Sequence, residues 1–82
     1  MKIVYVEWLD SSGPSEGVWQ SHEFVKSLVP CKIKSIGFVI KETKKYTIIA
    51  ASRDDAVENG CLQGVICIPK CSITKIKEIE RK

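Results

Sequence analysis

The sequence predicts a mainly β fold with one short helix: a small five-stranded barrel in the order β-α-β-β-β-β. Three observations predict it. Short segments rich in β-branched and aromatic residues recur along the chain. One stretch, near 21–28, reads as a helix from the spacing of its apolar residues. The links are short, and a flat sheet of this size would leave one face and two edges wet, so curling it protects both. With 82 residues the chain is one domain, 1–82. A domain this small buries only about 60–65% of its unfolded surface, so oligomerisation is a natural supplement.

The first strand is "KIVYVEW" (2–8), where Val4, Val6 and Trp8 share one side and Ile3, Tyr5 and Glu7 the other. "LDSSGPSEG" (9–17) is turn chemistry around Gly13-Pro14, a long loop of the sort that carries function on small domains. Ser21 is suited to cap a helix over 21–28, with Glu23 in its first turn and Phe24, Val25 and Leu28 forming an apolar face. Pro30 stops it.

"KIKSIGFVIKE" (32–42) alternates, placing Ile36, Phe38 and Ile40 on one face; Gly37 within it signals a bend or a close backbone approach. "TKK" (43–45) joins it to "YTIIAAS" (46–52), which makes a hairpin without an Asn-Gly turn. "RDDAVENG" (53–60) is a polar loop, and "CLQGVICIP" (61–69) and "SITKIKEI" (72–79) supply the last two strands. Ile73, Ile76 and Ile79, spaced by three, would also suit a helix, but the short Ile- and Thr-rich segment favours a strand.

The net charge is +3, unevenly spread. Residues 1–30 hold two Lys against four acids, whereas 31–52 hold Lys32, Lys34, Lys41, Lys44 and Lys45 against Glu42 alone. A basic middle beside an acidic start points to an anionic ligand, an acidic partner or contact between subunits; a solvated face is the plainer alternative. Lys2 precedes only four apolar residues before Glu7, too few for a signal-peptide core, and no apolar run approaches the roughly 20 residues that cross a bilayer. A cytoplasmic location without membrane attachment is expected, with reduced cysteines.

Cys31, Cys61, Cys67 and Cys71 are separated by 29, 5 and 3 residues, without the C-x2-C knuckle on which zinc sites are usually built. They read as ordinary buried or half-buried thiols, Cys67 in particular as a small hydrophobe within an apolar strand. His22, the single histidine, lies beside no cysteine-nucleophile signature, and Arg53-Asp54-Asp55 reads as turn composition. No phosphate-cradling glycine loop and no hydrolase or metalloprotease motif occurs. The expectation is a protein that is not an enzyme and that uses no metal or cofactor.

Binding is the stronger reading. Trp19, between a glycine-bearing loop and the helix, is the better surface aromatic, while Trp8 shares the face of Val4 and Val6 and reads as core. Lys44, Lys45, Ser52, Arg53 and Lys70 fall at strand ends or in loops. Arg53 could clasp a phosphate with paired hydrogen bonds, Ser52 add a hydroxyl and the lysines act as point charges. Trp19, Lys44, Lys45, Ser52, Arg53 and Lys70 are therefore the candidate ligand-binding residues, with a homo-oligomer expected from the small size and open edges.

"GVICIPKCSI" (64–73) runs an apolar strand into Ile-Pro, three small or polar residues and another strand. It resembles the tight helical turn before the last strand of SH3-like and Sm-like barrels, with Lys70, Cys71 and Ser72 forming the turn. "VYVEWLDSSG", the Trp19 segment ending in "LVP", "IKSIGFVIKETKKYTIIAAS" and "GVICIPKCSITKIKEI" together resemble a group of small tailed-phage proteins over nearly the full length. Such phage barrels include sponges that sequester cyclic-nucleotide immune signals of the host. The resemblance implies a host-defence antagonist in the cytoplasm of a bacterial cell, binding an anionic small molecule such as a cyclic nucleotide. The alternative is an Sm-like module that binds a host protein or RNA and inhibits a host factor. RNA ranks lower, because a pI of about 8.7 falls short of the roughly 9 expected of a dedicated nucleic-acid domain.

Overall fold

The computed structural model describes residues 2–13, 17–56 and 60–79. The elements are β1 (Ile3–Asp10), α1 (His22–Lys26), β2 (Cys31–Glu42), β3 (Tyr46–Arg53), β4 (Leu62–Pro69), a single 3-10 turn (Lys70–Ser72) and β5 (Ile73–Glu78). The five strands form one antiparallel sheet in the order β4-β3-β2-β1-β5, with β4 and β5 as open edges. The mainly β class and the element order match the sequence expectation. β1 runs two residues further than its alternation suggested because Leu9 and Asp10 pair with Lys32 and Cys31.

The sheet curls so that distant strands share a core. Val4 and Val6 of β1 meet Ile49 of β3 and Ile68 of β4, with Trp8, Val39 and Ile73 packed around them. Gly37 lets β2 and β3 approach closely: its position is buried, and a Cβ would stand 2.7 Å from the Ala50 carbonyl oxygen. Beyond it the β2–β3 register shifts between Val39 and Lys41, and such irregularities bend the strand that carries them. The close approach read from Gly37 is thus real. Ile36 has the opposite fate from a core residue: it pairs with Tyr5 on the outer face and is 60% exposed.

The β2–β3 hairpin closes without Asn-Gly because Thr43 substitutes a side-chain turn. Its Oγ1 accepts the backbone N–H groups of Lys45 and Tyr46, each at 3.1 Å, and its own N–H donates to the Tyr46 carbonyl at 2.9 Å. The Pro69 elbow forms as expected. Ser72 Oγ donates to the Pro69 carbonyl at 2.8 Å, and the Lys70 N–H donates to the Lys45 carbonyl at 2.8 Å, tying the elbow to the hairpin turn.

α1 is capped as its sequence suggests. Ser21 Oγ accepts the Phe24 N–H at 3.1 Å. Its apolar face is not buried, however: Phe24, Val25 and Leu28 are all exposed, and no residue from Gly17 to Pro30 is buried. The radius of gyration is 16.6 Å, against about 12 Å for a compact domain of this length. The buried apolar residues among those described are Val4, Val6, Ile49, Ala50 and Ile68.

Candidate functional site

The six residues singled out from the sequence occupy three separate places. Lys44 and Lys45 project from the hairpin turn, and Lys70 joins them through the elbow; Lys70 Nζ lies 3.9 Å from Glu42 Oε1. Ser52 and Arg53 end β3 at its far end, about 23 Å from Tyr46 at the usual strand rise. They line a small concavity with Asp54, Cys61, Leu62 and Gln63. Arg53 is engaged already: its Nε donates to Asp55 Oδ2 at 3.1 Å and its guanidinium lies 5.3 Å from the Phe38 ring centre. Trp19 stands apart on the β1–β2 connection, 99% exposed. A single chain therefore gathers Lys44, Lys45 and Lys70, and separately Ser52 and Arg53, but brings neither group to Trp19.

A different convergence lies on the outer face of β2, β1 and β5. Directly opposed residues in an antiparallel pair project to the same face. Tyr5 faces Ile36 on one side and Lys77 on the other, and Glu7 faces Lys34 and Lys75. Tyr5 is half-buried while Ile36, Lys34, Lys75 and Lys77 are exposed. Tyr5, Ile36, Lys75, Lys77, Glu78 and Ile79 line a groove of about 690 Å³.

The groove's chemistry is complementary to a flat, anionic ligand. The Tyr5 ring and the two isoleucines offer apolar area for a planar ring, and Lys75 and Lys77 offer ammonium charge for phosphates. All six are carried by paired strands or the residue after one, so the surface is set by the sheet rather than by a loop.

This face had a partial signal in the sequence. "KIK" in β2 and "KIK" in β5 each place two lysines on one side of a strand by period-two geometry. That both strands flank β1, and so frame Tyr5, follows only from the strand order.

The cysteine expectation needs correction. All four are free thiols and all four are exposed. Cys67, a small hydrophobe by its apolar strand, is not buried: β4 is an edge strand and Cys67 alternates with the buried Ile68, so it points away from the core. Among the described residues no three His, Cys, Asp or Glu side chains come together as a metal-binding group, and His22 is exposed at the start of α1. No helix among the described residues is long and apolar enough to cross a membrane. Comparison with protein-family models, with curated proteins and with solved structures returned no match.

Proposed function

We propose that the protein is a non-enzymatic binding protein that sequesters an anionic nucleotide signal, a cyclic nucleotide in particular, in the groove around Tyr5. The observation that carries this reading is the register that sets Tyr5 between Ile36 and Lys77, with Lys75 and Glu78 at the same groove. Its volume falls in the range of about 300–1,000 Å³ typical of small-molecule sites. A base stacks on Tyr5 and phosphates lie against Lys75 and Lys77. In this reading the ligand is held and released unchanged.

The finer fold reading is an SH3-like or Sm-like barrel, supported by the β4-β3-β2-β1-β5 order and by the one-turn elbow between β4 and β5. With the phage resemblance of the sequence, the role is that of a viral antagonist of host defence acting in the bacterial cytoplasm. Calorimetric titration with cyclic mono- and dinucleotides tests the site. Binding that disappears in Lys75→Glu/Lys77→Glu supports it, and heat-silent titrations across the series remove it.

The exposed connection carrying Val18, Trp19, Phe24, Val25 and Val29 favours a second reading, in which a host protein is bound and inhibited. Retention of one host protein that is insensitive to salt, and lost in Trp19→Ala/Phe24→Ala, separates this from nucleotide or RNA binding, which weakens as salt rises.

A further inference from the structure

The β4 edge has a property that the β5 edge lacks. Its eight residues, Leu62–Pro69, include no charged side chain, and Leu62, Val65 and Ile66 are 40%, 52% and 37% exposed. Its ladder to β3 keeps one register from Arg53–Leu62 to Tyr46–Pro69. Gly64, with φ of +67°, and Pro69 bound a stretch, Val65–Ile68, whose outer edge is open. Natural sheets protect such edges with lysines, bulges or a covering element. β4 has no charged residue and its register to β3 does not shift, whereas β5 carries Lys75, Lys77 and Glu78 and a register shift beside Trp8.

We infer that β4 is an interface with a second copy of this chain, in which two β4 strands pair antiparallel about a two-fold axis and join the sheets edge to edge. The occupant must present an extended backbone, because what β4 offers is a row of main-chain donors and acceptors flanked by apolar side chains. Charge selects β4 itself as that strand. Antiparallel self-pairing of β4 opposes only uncharged residues. The same arrangement of β5 about Ile76 would set Lys75 against Lys77, and like charges directly opposite are unfavourable. A two-fold contact of this kind is self-complementary and closes at two subunits. It leaves the Tyr5 groove, on the other side of the strand order, open in both copies.

Light scattering coupled to gel filtration tests the inference independently of any ligand. The expected mass is that of a dimer, halved in Val65→Lys and in Cys67→Lys and unchanged in Thr74→Lys on the β5 edge, with circular dichroism verifying the fold. Because a lysine could perturb folding, a second measurement uses a chain with Cys31, Cys61 and Cys71 replaced by Ser and a spin label on Cys67. One short label-to-label distance is expected. A chain that stays monomeric at all concentrations, or a larger assembly broken equally by Thr74→Lys, overturns the inference.

Discussion

Gly37 lies against the backbone of Ala50, with room for a hydrogen but not for a methyl group: a Cβ would come within 2.7 Å of the Ala50 oxygen, 3.2 Å of its carbonyl carbon and 3.3 Å of Ile49 Cβ. Two of those three atoms are main chain, so the clash cannot be relieved by a side-chain rotation. Here β2 and β3, neighbours in the sheet, approach each other through main-chain atoms. Gly37→Ala is expected to lower stability by about 1–3 kcal/mol, the usual range for overpacking. Urea denaturation read by far-UV circular dichroism measures it. A midpoint equal to that of the parent chain would show that the close approach of β2 and β3 does not depend on this glycine.

Trp8 Nε1 donates to Ser35 Oγ at 3.1 Å across the β1–β2 pair, in a partly buried site. Ser35→Ala leaves the indole N–H without that acceptor, and a loss of about 0.5–1.5 kcal/mol is expected. The two tryptophans should also part in fluorescence. Trp19 is 99% exposed and iodide should quench it, while Trp8, packed on the core, should be shielded. Equal quenching in Trp8→Phe and Trp19→Phe would contradict this placement.

Thr47 runs the other way. It is fully buried, and among the described residues its Oγ1 has no hydrogen-bond partner. Thr47→Val keeps the shape and removes an unsatisfied hydroxyl, whose burial costs about 1–3 kcal/mol. The variant should therefore melt at a higher temperature than the parent. A lower melting temperature would mean that the hydroxyl has a partner in solution.

The groove makes its own demand. Tyr5→Ala should weaken nucleotide binding by about 1–3 kcal/mol, the range for losing one stacked base, which is roughly 5-fold to 150-fold. Lys77→Gln should weaken it and flatten its salt dependence, since one fewer cation meets the phosphates. Arg53→Gln, outside the groove, should leave binding unchanged. Titrations of the three variants decide whether the ligand lies at Tyr5 or at the end of β3.

Much of the fold was legible because it depends on local chemistry. The alternation of Val4, Val6 and Trp8, the Ser21 cap and the Pro69 elbow each follow from residues close in sequence, and each is found. The hairpin turn was legible in place but not in kind, since Thr43 does through its hydroxyl what Asn-Gly usually does through its backbone. The candidate groove was legible only in its two "KIK" segments. Tyr5, Ile36 and Lys77 lie on three strands far apart in the chain, and only the pairing of β2 and β5 on either side of β1 assembles them. Strand-end residues such as Lys45 and Arg53 are natural candidates because loops carry function often, yet the sheet separates them by most of the length of β3.

Depletion followed by release tests the central claim most directly. The protein is incubated with a cyclic dinucleotide below its own concentration, filtered, then heat-denatured, and the ligand is measured before and after. The Tyr5 groove predicts that free ligand vanishes and returns intact on denaturation, and that Tyr5→Ala fails to remove it. Ligand that stays free throughout, or that returns as a linear product, would contradict a role in holding the signal without altering it.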